Sequence, residues 1–159
     1  MKRVILTALL FSAALVFGFQ RDARAEVSFG VSVGFFHDSL ATHGTWTNSP
    51  RYGYVWAPRH LAHGWRPYVY GRWVYTDYGW TWVSDEPFGW ATYHYGRWYL
   101  DPQQGWLWVP GDEWGPAWVD WRSNNDYVGW APLPPKGYDD FASVPGGAFT
   151  YVGARDLSA

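Results

Sequence analysis

The sequence predicts an all-β fold of tandem antiparallel β-hairpins, arranged as a meander or a small, partly open barrel. Of its 159 residues 22 % are aromatic, including 14 Trp, and aromatic side chains suit the pleated surface of a sheet. The 18 Gly and 11 Pro break every window of helical length after residue 43, so no substantial helix is expected beyond the N-terminal leader. A similar Trp-containing stretch recurs about every 25 residues, which indicates repeated supersecondary units.

Residues 1–25 have the three parts of a secretory signal peptide. Lys2 and Arg3 are followed by an apolar run over residues 4–19, and Ala23 and Ala25 place small side chains at the cleavage positions. The apolar run is shorter than the ~20 residues that a membrane-spanning helix needs. We therefore expect cleavage after Ala25, no transmembrane segment in the product, and a periplasmic or extracellular location.

Charge and composition exclude several classes of function. The leader carries four of the 12 basic residues and one of the 14 acidic residues, so the remaining chain has a formal charge of −5. Nucleic-acid binding relies on clustered Lys and Arg, and no such cluster is present, so nucleic acid is not an expected partner. The absence of cysteine excludes disulfides, thiolate metal sites and iron–sulfur clusters, and we expect no cofactor.

Three copies of the repeat begin with Gly44-Thr45-Trp46, Gly71-Arg72-Trp73 and Gly96-Arg97-Trp98. Each copy continues through a turn-like segment into a second aromatic run, and a degraded fourth copy follows from Trp121 to Pro132. Residues 44–135 are therefore predicted to form a Trp-rich hairpin-repeat domain. A strand and linker over residues 26–43 precede it, and a Pro/Gly-rich segment over residues 136–159, with a last short strand near Phe149, follows it.

The turn lengths predict a register in which indoles meet across each hairpin. Suppose that Tyr75 faces Trp80 in the second hairpin and Leu100 faces Trp106 in the third. In each hairpin, the two residues that face each other two positions further from the turn are then both Trp. Such cross-strand aromatic pairs contribute about 0.5–1.5 kcal/mol each beyond burial, and a one-residue slip would scatter them onto both faces. The predicted structural pairs are Trp46 with Trp56, Trp73 with Trp82, and Trp98 with Trp108.

A tyrosine-rich segment precedes two of the Gly-Arg-Trp sequences. Tyr68-Val69-Tyr70 and Tyr93-His94-Tyr95 are predicted strands, in which a period of two places the tyrosines and the following arginine on the face opposite the indoles. A guanidinium can stack on aromatic rings there. The candidate ligand-binding residues are accordingly Tyr68, Tyr70, Arg72, Tyr93, Tyr95 and Arg97.

Acidic pairs recur in equivalent links, Asp85-Glu86 and Asp112-Glu113. Two carboxylates across a cleft can hydrolyse a glycoside, but a catalytic pair needs unequal environments, whereas repetition at the repeat period favours turn capping. The sequence is therefore not expected to encode an enzyme. No metal site is expected either, because the five histidines, which are His37, His43, His60, His63 and His94, do not have the spacing of a ligand set.

The string Gly-Arg-Trp-Val-Tyr-Thr-Asp-Tyr-Gly-Trp-Thr-Trp at residues 71–82, with residues 93–98 and 113–119, resembles a family of exported bacterial Trp/Gly/Tyr-rich repeat domains of unknown function. Residues 36–41 and 129–134 resemble the flanks of that domain. Some members are fused to FecR-like regulator regions, which implies a periplasmic or surface role. The resemblance supplies no catalytic residues.

Fourteen indoles exceed what a thin layer of hairpins can hide, so some aromatic rings should be exposed, and exposed aromatic patches usually bind something. We expect a non-catalytic binding module of the cell envelope, with glycan or peptidoglycan as its first ligand class. The alternative is a structural or assembly protein that contacts other envelope proteins. A glycoside-active enzyme is the second alternative.

Overall fold

The computed structural model describes residues 34–138 and 148–157. The predicted leader, and residues 26–33 of the predicted strand and linker, lie outside these ranges. The described elements, in chain order, are α1 over residues 34–41, β1 (Gly44–Ser49), β2 (Gly53–Pro58), β3 (Gly71–Thr76), β4 (Gly79–Ser84), α2 (Gly89–Thr92), β5 (Tyr95–Asp101), β6 (Gly105–Trp114), β7 (Val119–Ser123), β8 (Tyr127–Pro132) and β9 (Thr150–Gly153).

Strands β1 to β8 form four antiparallel hairpins, which confirms the all-β prediction. The predicted register is also observed, with Trp46 opposite Trp56, Trp73 opposite Trp82, and Trp98 opposite Trp108. The fourth hairpin carries an equivalent pair that the sequence did not predict, Trp121 opposite Trp130. An indole pair therefore joins the two strands of every hairpin.

The chemistry of the turns explains why these registers form. In the third hairpin the Asp101 carboxylate accepts hydrogen bonds from the backbone N–H groups of Gln103 and Gln104, both at 2.9 Å. Gly105 then enters β6 with a φ of 79°, a left-handed conformation that costs glycine little because it has no Cβ. A residue with a side chain at this position would strain the turn and weaken the register.

The hairpins associate alternately rather than in sequence order. The first joins the third in a four-stranded sheet of order β1-β2-β6-β5, where Trp56 lies opposite Trp108. The second hairpin is a separate two-stranded sheet, and the fourth forms a three-stranded sheet of order β7-β8-β9. The predicted last short strand is thus present as β9, and the repeats divide among three sheets.

One aromatic core fills the space between the sheets. The second and fourth hairpins contact each other through indoles, with ring centroids 4.5 Å apart for Trp73 and Trp121 and 6.1 Å apart for Trp82 and Trp130. Trp56 and Trp98 meet inside the four-stranded sheet at 6.3 Å. Since aromatic side chains bury 150–250 Å² each, these rings take the place of the aliphatic residues that usually fill a core.

The predictions for three local segments are wrong. Residues 34–41, assigned to a linker, form α1, because Phe36 and Leu40 lie one helical turn apart and are both buried. The segment at Tyr68 is a turn rather than a strand, and Tyr68 itself has a φ of 62°. In the predicted strand Tyr93-His94-Tyr95, Tyr93 and His94 form a turn after the single-turn helix α2, and only Tyr95 belongs to a strand.

No helix among the described residues combines the length and the apolar character that a membrane crossing requires.

Candidate functional site

The predicted Tyr–Arg face is not assembled, because its six residues have different environments. Tyr68 and Tyr93 are buried in the core, with 1 % and 0 % of their surface exposed. Tyr95 and Arg97 are half-buried, and only Tyr70 and Arg72 are exposed. The prediction that these residues share one accessible face is therefore wrong, since the two segments leave the strand conformation on which the period-two argument depended.

Tyr68 instead connects three parts of the core. Its hydroxyl donates to the carbonyl of Tyr93 and accepts from the backbone N–H of Trp118, both at 3.0 Å. The Trp130 indole Nε1 donates to the Tyr68 carbonyl at 2.8 Å. Burial raises the pKa of the Tyr68 hydroxyl well above its usual range. This residue is an internal support of the fold and cannot contact a ligand.

Four successive backbone carbonyls, from residue 92 to residue 95, each accept a hydrogen bond from an aromatic side chain. Only Thr92 belongs to α2, and the carbonyls of the next three residues lie beyond the end of the helix. The His94 carbonyl also accepts from the backbone N–H of Gly115 at 2.8 Å. The bonds run from Trp98 Nε1 to Thr92 at 2.9 Å, from Tyr68 to Tyr93 at 3.0 Å, from Trp118 Nε1 to His94 at 3.0 Å, and from Trp108 Nε1 to Tyr95 at 2.7 Å. The polar ends of the core aromatics thus hold this segment in place.

The acidic residue Glu86 is also used inside the fold. Its Oε1 accepts from Trp65 Nε1 at 2.6 Å, and its Oε2 accepts from the Tyr93 hydroxyl and, at 3.5 Å, from the Ser84 hydroxyl. Burial raises the pKa of the Glu86 carboxyl, and these hydrogen bonds oppose that shift only in part. Asp85, the other member of this acidic pair, is exposed. The pair is therefore split between the interior and the surface.

The histidines are dispersed over the described chain. No group of three or more His, Asp or Glu side chains in residues 34–138 and 148–157 is close enough together to hold a metal ion. His37 and His94 instead stack on indoles, with ring centroids 5.7 Å from Trp46 and 5.7 Å from Trp114 respectively.

An open cleft of ≈ 470 Å³ lies on the β7-β8-β9 sheet, and we call it the outer cleft. This volume lies within the range of about 300–1,000 Å³ that is typical of small-molecule sites. Tyr127 and Tyr151 are 56 % and 53 % exposed. The residues that line the cleft are Arg122, Ser123, Asn124, Tyr127 and Tyr151.

The sheet register explains how the cleft forms. Arg122, Gly129 and Tyr151 lie opposite one another on β7, β8 and β9, and alternation places them on the face away from the Trp121–Trp130 pair. Because Gly129 has no side chain, the Tyr151 ring lies flat on its backbone, where a Cβ would overlap the ring. A glycine between two large side chains thus creates the concave surface.

Aromatic stacking fixes both walls of the outer cleft. The Tyr151 ring stacks on Phe149 at 5.8 Å with an interplanar angle of 24°, and the Arg122 guanidinium carbon lies 4.0 Å from the Phe149 ring centroid. Arg122 Nε is 3.8 Å from Asp120 Oδ2, the outer limit of an ion pair. The cleft therefore presents a cation beside two tyrosine rings.

A side-chain-stabilised turn closes one end of the cleft. Asn124 Oδ1 accepts from the backbone N–H groups of Asp126 at 2.9 Å and Tyr127 at 2.8 Å. This arrangement is an Asx turn, and it leads directly into β8, which begins at Tyr127. These residues could not be identified from the sequence, because the fourth repeat is degraded and β9 reaches β8 only through tertiary pairing.

Comparison with known proteins gives a family but no activity. No curated protein and no solved structure matches the chain. Residues 37–137, which include all four hairpins, match the model of a family of unknown function. That range covers more than half of the 159 residues. The chain therefore belongs to the family of unknown function DUF6600.

Proposed function

We propose that this protein is an exported, non-catalytic binding module of the cell envelope, and that it binds glycan in the outer cleft. The observation that carries the proposal is the placement of two half-exposed tyrosine rings beside the Arg122 guanidinium, within one preformed cavity. The predicted export leader, and the formal charge of −5 that its removal would leave on the remaining chain, support an envelope location without a nucleic-acid partner.

The chemistry of the cleft suits a sugar. A pyranose ring has faces of C–H groups, which pack on aromatic rings, and an edge of hydroxyl groups, which need both donors and acceptors. Tyr127 and Tyr151 offer rigid aromatic area with few rotatable bonds. Arg122 and the Asn124 amide offer donors, and the Ser123 hydroxyl offers an acceptor.

The walls of the cleft are ordered before any ligand arrives. Gly129 and Phe149 hold the Tyr151 ring, and Phe149 also supports Arg122. Binding therefore does not have to order these side chains, a step that would otherwise cost about 0.5–1.5 kcal/mol for each one immobilised.

The arrangement of the acidic residues supports binding rather than glycoside hydrolysis. Both Glu86 oxygens accept hydrogen bonds from residues of the fold, Trp65 and Tyr93 among them. Hydrolysis needs two carboxylates that face one substrate, about 5–5.5 Å or 6.5–9.5 Å apart. The five described residues that line the outer cleft include no carboxylate.

Isothermal titration of the purified protein with soluble peptidoglycan fragments and envelope polysaccharides tests this proposal. We expect one of these glycans to bind, and we expect Tyr151→Ala to weaken that binding about tenfold or more by removing one stacking surface. Tyr54→Ala is the matched control, because Tyr54 is 52 % exposed on β2, away from the cleft. Full-strength binding by Tyr151→Ala, or no heat with any glycan, would overturn the proposal.

A further inference from the structure

A second exposed aromatic surface lies at the tip of the second hairpin, and we call it the tip platform. Tyr75 and Tyr78 are each 72 % exposed, and Trp114, at the end of β6, is 41 % exposed. Ring centroids are 5.4 Å apart for Tyr75 and Trp80 and 5.1 Å apart for Tyr78 and Trp114. The tip platform consists of Tyr75, Tyr78, Trp80 and Trp114, and it unites two hairpins that belong to different sheets.

The tip platform is well supported although it is exposed. The Thr76 and Thr81 hydroxyls hydrogen-bond each other at 2.8 Å across the turn, and Thr76 Oγ1 accepts from the Tyr78 backbone N–H at 3.1 Å. Trp114 stacks on His94 with an interplanar angle of 14°. Exposed apolar patches that are held in place in this way are typical of interaction surfaces.

The charges around the tip platform are negative. Asp77 lies in the turn between Tyr75 and Tyr78, and Glu113 precedes Trp114; both carboxylates are exposed. Within residues 34–138 and 148–157 neither carboxylate forms an ion pair. Aromatic ring faces are themselves electronegative, so the rings and the carboxylates attract the same kind of ligand, a cation.

The arginines of the second and third hairpins neutralise this surface only in part. Arg97 places its guanidinium 3.5 Å from the Trp118 ring centroid and donates to the Gly96 carbonyl at 2.8 Å. It interacts electrostatically with Glu113, but among the described residues the two form no direct ion pair. Arg72 is on the face of β3 opposite Tyr75, because the side chains of a strand alternate.

We propose that the tip platform docks an Arg/Lys-rich segment of a partner polypeptide. Its guanidinium or ammonium groups would lie on the exposed rings of Tyr75, Tyr78 and Trp114, and Asp77 and Glu113 would pair with neighbouring cations. The formal charge of −5 on the chain after the leader favours the approach of such a segment over long distances. This inference is independent of glycan binding, because the outer cleft lies on a different sheet.

Fluorescence anisotropy with a labelled Arg/Lys-rich peptide tests the proposal, with a peptide of equal length in which Gln replaces every cation as the ligand control. We expect the cationic peptide to bind, to bind more weakly at high salt, and to lose about tenfold in affinity when Tyr78→Ala and Trp114→Ala are combined. Asp77→Asn should weaken binding several-fold. Tyr54→Ala should have no effect.

Three results would overturn the proposal: equal binding of both peptides, equal binding by the platform variants and Tyr54→Ala, or binding that is indifferent to salt. Tyr78→Phe keeps the ring and should keep the affinity, which separates a loss of contact from a loss of structure. Glycan titration of the same variants distinguishes the two proposals. Tip variants that lose glycan affinity and keep peptide affinity would show that the platform is a glycan surface instead.

Discussion

The second and third hairpins begin with the same pattern, Tyr-x-Tyr-Gly-Arg-Trp, and yet they present different residues to solvent. Both form the indole pair that joins their strands. In the second hairpin Arg72 is exposed, whereas the equivalent Arg97 is half-buried against Trp118. The second hairpin is a two-stranded sheet, whereas the third lies in a four-stranded one. Local sequence thus determines the hairpin, and its neighbours determine which face remains accessible.

The indoles at equivalent positions differ in the same way. Trp73 and Trp98 are both 2 % exposed. Trp98 Nε1 donates to the Thr92 carbonyl, whereas Trp73 Nε1 is buried without a hydrogen-bond partner among the described residues. Buried donors without partners are rare in native proteins because they lose hydration without compensation.

The largest expected effect therefore comes from Trp98→Phe compared with Trp73→Phe. Both changes remove similar buried volume, but only Trp98→Phe leaves a buried carbonyl unsatisfied. We expect its free energy of unfolding to fall by about 1–3 kcal/mol more than that of Trp73→Phe. Chemical denaturation of both variants measures the difference. Equal losses would mean that the two indoles are equivalent and that the hydrogen bond contributes nothing.

A smaller effect is expected for the two arginines. Arg97→Ala removes a cation–aromatic contact and the packing of a half-buried side chain, so we expect a loss of about 1–2 kcal/mol. Arg72→Ala changes an exposed residue and should stay within about 0.5 kcal/mol of the wild type. Thermal unfolding of both variants measures the difference in stability. The prediction would be contradicted if Arg72→Ala were the more destabilised variant.

The smallest expected effect is a pH dependence of stability that comes from Glu86. This residue follows the second hairpin and accepts a hydrogen bond from Tyr93, which precedes the third. Burial raises the pKa of this carboxyl in the folded state, so the folded protein binds the proton more tightly than the unfolded chain. As the pH rises from about 4.3, the unfolded value, through the raised folded value, the wild type should lose stability relative to Glu86→Gln. Denaturation across this range measures the difference, and parallel pH curves would contradict it.

The hairpins could be predicted from sequence because their determinants are local. Turn residues such as Asp101 and Gly105 and the alternation of Trp within each strand lie within a dozen residues of one another. The turn at Tyr68 could not be predicted in this way. Its positive φ is stabilised by bonds to Tyr93, Trp118 and Trp130, which are 25, 50 and 62 residues away.

The candidate site shows the same division between local and distant determinants. Tyr127 and Asn124 belong to one turn that the sequence contains as Asn-Asn-Asp, but Tyr151 joins them only because β9 pairs with β8. Gly129 was recognisable as part of the fourth repeat. That the Tyr151 ring packs on its backbone depends on the pairing of β9 with β8. Exposure, which decides what can bind, was the property least accessible to sequence reasoning.

The alternate association of the hairpins limits how this architecture can change in length. In solenoid proteins each repeat contacts only the next, so that units can be added or lost at either end. Here the first hairpin pairs with the third and the second packs on the fourth, so deleting one unit would remove the partner of another. The number of repeats is therefore limited by this pairing of hairpins. Duplication of a single 25-residue unit would produce a hairpin without a partner hairpin to pack against.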